Sequence, residues 1–333
     1  MTRETKRIGV IVGGDSPARE LSRRSGEAVM EALRAHGHEP SLLFADRDLD
    51  LGLRQQEVDL AFIALHGRGA DGPVQGLLES LGIPYTGSSL AAAALAADKL
   101  KSKELLRLHN LPTPSYYRHS RGFGSADQQH GSFGFPCVVK PRTGCSGFGL
   151  ALARDVDELE GAVENALRFD DDVLVERQVA GREIQVVIVD GQVLGTAEVI
   201  PDRGVLDYAT KHTPGRTQVL APPRLGPERL RGIVTQALRA HHLFGCDGVT
   251  RVDLVVSERG NESLLEVEAF PELGPGSLVQ RLARGAGVAF ADLVELLVES
   301  ARLHSGRRQR ERRGLTAPWF GVERRAGEAT ESH

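Results

Sequence analysis

Lysine is scarce in this 333-residue chain, where 6 lysines stand against 35 arginines. Such an imbalance reflects genome composition, but a lysine that persists in it marks a place where arginine is a poor substitute for a compact ammonium. Cysteine is scarcer still. Cys137, Cys145 and Cys246 have no metal-type spacing and suggest no disulfide framework. No apolar run approaches the roughly 20 residues of a membrane span, and the start, MTRETKRIGVIVGGD, has an apolar stretch too short for a signal peptide. Positive charge is not in excess either: a net charge of −4 argues against a nucleic-acid binder with a wide basic surface. The expectation is a cytoplasmic protein without nucleic-acid or membrane partners. At roughly 150 residues per domain it has two or three domains.

The run RIGVIV at 7–12 leads into the turn Gly13-Gly14-Asp15, and Ser16-Pro17 reads as the cap and first position of a helix to about His36. VDLAFIAL at 58–65 reads as a second buried strand ending at His66-Gly67. Strands alternating with helices indicate an open parallel sheet with ligands beyond the carboxyl ends of its strands, which places Ser16, Glu20 and His66 at that edge. A single helix is expected over 88–109 and a loop over 119–134. Strands follow at FPCVVKP, LALA and DVLVERQV, with a helix near 155–168. Beyond 182 the pattern turns to hairpins, the first around Asp190-Gly191. Residues 201–225 form a connection too long for routine use, a length typical of lids. After a helix at 227–243, a second hairpin spans 248–270, and helices near 276–286 and 289–303 close the fold. The tail from about 305 is expected to be mostly disordered.

Three features point to a nucleotide. Lys140 ends a strand and leads into Gly144, Gly147 and Gly149, a loop in which backbone N–H groups can approach phosphate; an ordinary turn with a surface lysine is the alternative. In TRVDLVV and LLEVE, strand alternation puts Arg251 and Asp253 on one face and Glu266 and Glu268 on one face of the paired strand. Three converging carboxylates require a cation, and hard oxygen ligands suit Mg²⁺ or Mn²⁺; a solvated face with salt bridges is the alternative. Glu176 ends a buried run where an adenine or ribose could be held at a domain seam, although from this residue alone a plain strand-end carboxylate is the better reading.

The ordered segments GGDSPARELSRRSG, LHGRGADGPVQG, IPYTGSS, ADKLKSK, VVKPRTGCSGFG, VLVERQVAGREIQV, LDYATKH, RVDLVV and LLEVEAFPELGPGSLV resemble the D-alanine–D-alanine ligases of the ATP-grasp superfamily over about residues 7–304. The resemblance implies an α/β fold, α+β in its ATP-grasp part, with an N-terminal Rossmann-like domain at 1–93. It also implies a central subdomain at 94–184 and a catalytic subdomain at 185–304, with 305–333 as a tail. It implies ATP-dependent joining of two D-alanines through an acyl phosphate for cell-wall precursors, in a protein that is commonly a dimer.

By the same resemblance Lys99 and Lys140 meet ATP phosphates, Lys211 reaches the γ-phosphate, and Glu176 and Glu183 lie at adenine and ribose. Asp253, Glu266 and Glu268 hold two Mg²⁺ ions. Glu20 anchors the first acid's ammonium beside His66. Arg251 and the Glu272 N–H steady the oxyanion, while Ser277 and Leu278 meet the second acid's carboxylate. Several positions depart from the family pattern: Glu268 replaces asparagine, Glu272 a glycine, and Cys145 the serine linking the Gly-rich loop to Glu20. Ala70 replaces a glutamate, and Leu206 and His212 replace lid tyrosines, while Tyr208 and Lys211 remain. His212 is either a solvent-exposed lid residue or, when protonated, a device favouring a hydroxy acid over an ammonium. A ligase for other amino or hydroxy acids and a weakened ATP-binding sensor stay open as alternatives.

Overall fold

The protein is described as a computed structural model, which covers residues 4–305 apart from 15, 123, 127–129, 131–132 and 145. Asp15, Cys145, part of the 119–134 segment and the tail beyond 305 therefore lie outside the described residues.

The first sheet is parallel, in the order β2 (Glu39–Phe44), β1 (Arg7–Val12), β3 (Leu60–Ile63). Ile8, Val10, Ile11 and Val12 are buried on both faces of β1, as expected of a central strand covered by helices. The helix Arg19–Ala35 packs there through Leu21, Ser25, Val29 and Leu33. Gly26 permits that approach, because a Cβ would stand 2.1 Å from Val12. The helix starts at Arg19 rather than at Ser16-Pro17, since Ser16 Oγ accepts the Ala18 N–H and forms a local turn first.

The expected helix over 88–109 is two helices, Leu90–Ala97 and Lys99–Leu108. Asp98 breaks it: its backbone is extended, and its carboxylate accepts the N–H groups of Leu100 and Lys101 while gripping Arg142 at 2.6 Å. The second sheet runs β4 (Tyr116–Ser120), β7 (Asp172–Arg177), β5 (Cys137–Pro141), β6 (Ala151–Ala153), all antiparallel. The third is antiparallel in the order β10 (Thr217–Leu220), β9 (Gln192–Pro201), β8 (Gly181–Val189), β11 (Val249–Ser257), β12 (Glu262–Glu268). The 201–225 connection is thus partly regular, with a short helix Tyr208–His212 and the edge strand β10.

The apolar cores are shared unequally. Ile8, Val10 and Val29 of the first layer pack in one cluster with Val187, Leu194 and Leu282 of the third. The second sheet keeps its own cluster around Val139, Leu159 and Val173. Cys137 and Cys246 are buried free thiols. No helix among the described residues is long and apolar enough to cross a membrane.

Candidate active site

A cavity of about 360 Å³ lies between the second and third sheets, lined by Lys99, Lys140, Glu176, Glu183, Lys211 and Asp253 among others. Lys99 Nζ donates to the Gly144 carbonyl at 2.7 Å and stands 3.9 Å from Glu266. Lys140 Nζ lies 2.8 Å from Glu176 Oε1. A lysine that the sequence reading did not assign, Lys103, reaches the same oxygen at 3.0 Å. Its burial depresses its pKa to about 8 against the opposing pull of Glu176. Burial raises the pKa of Glu176 less than the two lysines lower it, so its carboxylate stays ionised. The signal for Lys103 was present in the rarity of lysine, but sharing a helix with Lys99 and the exposed Lys101 hid that it turns inward with Lys99.

The hairpin has the expected register: Arg251 lies opposite Glu268 and Asp253 opposite Glu266, before a bulge at Asp253/Leu254. Arg251 Nε donates to Asp253 Oδ1 at 2.7 Å and its Nη2 lies 2.6 Å from Glu268. Burial opposes the guanidinium charge, but Asp253 and Glu268 outweigh it and hold the pKa well above the usual value. Burial pushes Glu268 up to about 7 despite Arg251, with Glu266 adding repulsion. Burial likewise pushes Glu183 up to about 7, with Asp253 adding to it. Among the described residues no three acidic, histidine or cysteine side chains already converge on one point as a formed metal cage. The donors nevertheless fit a hard divalent cation: all are carboxylate oxygens, and burial works against the charge of Glu268.

Two further cavities adjoin the first. One of about 440 Å³ lies against Ser16, Gly67, Arg68, Gly144, Glu266 and Glu268. The other, about 420 Å³, lies under the lid and is lined by Lys211, His212, Arg251, Glu272, Ser277 and Leu278 among others. Glu266 is common to the first two and Lys211 to the first and third. Ser277 Oγ accepts the Gln280 N–H and so caps the helix Leu278–Gly285. His66 is buried beside this region: Nε2 lies 2.9 Å from Ser25 Oγ and Nδ1 3.1 Å from the Phe270 carbonyl. Ser25 Oγ in turn accepts the Leu273 N–H. Burial lowers the His66 pKa in spite of Glu272.

The lid sits directly on the Gly-rich loop. Tyr208 N–H donates to the Gly147 carbonyl at 3.2 Å, and the Tyr208 ring stacks on Phe148 with centroids 4.0 Å apart. Phe148 was missed as a site residue because a single aromatic in a Gly-rich loop has no periodic signature. His212 is not the exposed lid residue the sequence allowed. Its ring is half-buried, Nε2 has no hydrogen-bond partner, and that atom lies 3.6 Å from Glu272 Oε1. Burial lowers its pKa below the usual imidazole value although Glu272 pulls the other way, so the ring is neutral at pH 7.

Glu20 is the expected site residue that the geometry leaves outside. Its side chain is 64% exposed, paired with Arg23 at 2.6 Å, and lines none of the three cavities. Cys145 lies outside the described residues.

A family model for the D-ala D-ala ligase C-terminus matches residues 110–299. The D-alanine–D-alanine ligase of Anaeromyxobacter dehalogenans strain 2CP-1 is 43% identical over 300 residues, covering 90% of this chain and 97% of the relative. That of Geobacter sulfurreducens is 42% identical over 308 residues, covering 91% and 97%. Among solved structures, the Bacillus anthracis D-alanine–D-alanine ligase complexed with ATP superposes with a TM-score of 0.76 at 30% identity, covering 89% of this chain and 97% of that one. The Enterococcus faecalis VanG D-Ala:D-Ser ligase, at 24% identity and a TM-score of 0.74 over 89% and 99%, shares the fold. By sequence and by architecture, this chain belongs to the D-alanine–D-alanine ligase family of ATP-grasp ligases.

Proposed function

We propose that the protein joins two D-alanines at the expense of ATP, supplying the dipeptide of cell-wall precursors from the cytoplasm. The observation that supports this most is the chain of three adjoining cavities in which lysines, an arginine-bridged carboxylate cluster and a lid meet. ATP and two Mg²⁺ ions, when bound, supply the phosphoryl group that gives the first acid's carboxylate a leaving group, together with neutralisation of the charge in transfer.

Lys99 and Lys140 are assigned to phosphate contacts, and Lys211 to the γ-phosphate from the lid side. Glu176 and Glu183 are assigned to the nucleoside, and Asp253, Glu266 and Glu268 to the metal. Arg251 and the Glu272 N–H are assigned to the oxyanion of the tetrahedral intermediate. Ser277 and Leu278 offer the start of a helix to the second acid's carboxylate. Glu20 takes the first acid's ammonium on releasing Arg23, an exposed pair of the kind that contributes little to stability. Cys145 is assigned to the link between the Gly-rich loop and Glu20. Tyr208 on Phe148 keeps water from the acyl phosphate while the lid is shut.

Phosphate release from ATP with Mg²⁺ and a panel of D- and L-amino and hydroxy acids tests this reading. Release with D-alanine and formation of the dipeptide are expected. Release with another acid alone would point to a different ligase, and ATP binding without release to a sensor. The family's dimeric habit is carried over as well, and the mass of the particle in solution checks it.

A further inference from the structure

The cavity beneath the lid is strongly cationic, with Arg24, Lys211, Arg251 and Arg281 in its wall. Glu272 is the only carboxylate among the described residues that line it. Its side chain is held in place from two sides: Ser146 of the Gly-rich loop donates to Oε1 at 3.3 Å, and His212 of the lid stands 3.6 Å from the same oxygen. A free α-amino acid is a zwitterion. In a wall of this composition its carboxylate has several cations and a helix start to meet, while its ammonium has one counter-charge.

We infer that Glu272 is a specificity-determining residue that receives the ammonium of the second acid and so selects an α-amino acid over an α-hydroxy acid of the same shape. An α-hydroxy acid presents a neutral hydroxyl to Glu272 and so forgoes the ion pair that an ammonium makes there. The neutral state of His212 supports the assignment, since an imidazole without charge neither quenches Glu272 nor repels an ammonium.

This inference rests on the ligase reading, and the experiment separates the two. In the wild-type protein, phosphate release is measured with D-alanine as first acid and D-alanine or D-lactate as second, alongside positional isotope exchange in ATP, which reports acyl-phosphate formation alone. The wild type is expected to prefer D-alanine. Glu272→Gln is expected to raise the KM for the second D-alanine at least tenfold and to narrow the preference for D-alanine over D-lactate by a similar factor. Glu272→Asp is expected to recover the amine preference in part. A wild type that takes D-lactate as readily as D-alanine overturns the inference, whatever the variants do. So does a Glu272→Gln protein with an unchanged second KM, or one that loses both acids equally while exchange continues. Absence of both exchange and phosphate release in the wild type defeats the ligase reading instead.

Discussion

Arg251 and Glu268 face each other across the hairpin of β11 and β12, and the guanidinium that reaches Glu268 at 2.6 Å also holds Asp253 on its own strand. One cation thus organises two of the three carboxylates proposed to bind metal. Replacing it with Met strands both. The expected result for Arg251→Met is a loss of about 10²–10³ in kcat, the scale of one oxyanion donor. Stability should fall by about 3–5 kcal/mol, the cost of uncompensated buried charge. Steady-state kinetics and urea unfolding read the two effects separately, and a loss of activity with unchanged stability would contradict the ion-pair role.

Glu268, like Glu183, is a carboxylate whose charge burial resists, with a pKa pushed up to about 7. Glu268→Gln keeps the shape and an oxygen donor but removes the negative charge. We expect the Mg²⁺ concentration for half-maximal activity to rise about tenfold, because affinity for a hard cation follows ligand charge. The thermal midpoint without Mg²⁺ should not fall. A Mg²⁺ titration indistinguishable from wild type would remove Glu268 from the metal site.

Gly147 has φ +80°, and a Cβ there would stand 2.8 Å from the Leu206 carbonyl oxygen and 2.9 Å from the Tyr208 nitrogen. Gly147→Ala therefore forces the Gly-rich loop off the lid backbone and adds about 1–2 kcal/mol of left-handed strain. An ATP KM raised about tenfold is expected, with phosphate release outrunning dipeptide formation as water reaches the acyl phosphate. Tight coupling in the variant would show that the lid closes by other contacts.

His241 is buried, and burial lowers its pKa to about 4. The folded ring stays neutral while the unfolded one titrates near 6.5, so between those values the unfolded chain binds more protons. Stability must then fall as pH drops from about 6.5 to 4, by about 2–3 kcal/mol from this residue. His241→Phe should show a shallower acid loss over that window in denaturant melts at fixed pH. Equal slopes for the two proteins would refute the assignment.

The hairpin face was legible because strand alternation and register follow from period two, which fixes Arg251, Asp253, Glu266 and Glu268 together. The positive-φ glycines of the Gly-rich loop were legible for a similar local reason. Strand β2 was not: Glu39-Pro40-Ser41 reads as a turn, and only parallel pairing with β1 makes it a strand. Strand β4 was hidden among prolines and polar residues, because at a sheet edge tertiary pairing overrides a weak pattern. The break at Asp98 was written in an N-capping residue but masked by alanines that favour helix on one side and lysines on the other. The positions of Lys103, Phe148 and the His212–Glu272 contact depend on segments far apart in sequence, and no local rule reaches them.

The unequal sharing of cores dictates where the molecule can open for its nucleotide. The first and third sheets bury Ile8, Val29, Val187 and Leu282 in common, so separating them would expose apolar surface to water. The second sheet closes over its own Val139, Leu159 and Val173 and faces the third across the first cavity. Shared apolar burial therefore resists separation of the first and third sheets more than withdrawal of the second, which Asp98 ties to the rest of the molecule through Arg142 at 2.6 Å.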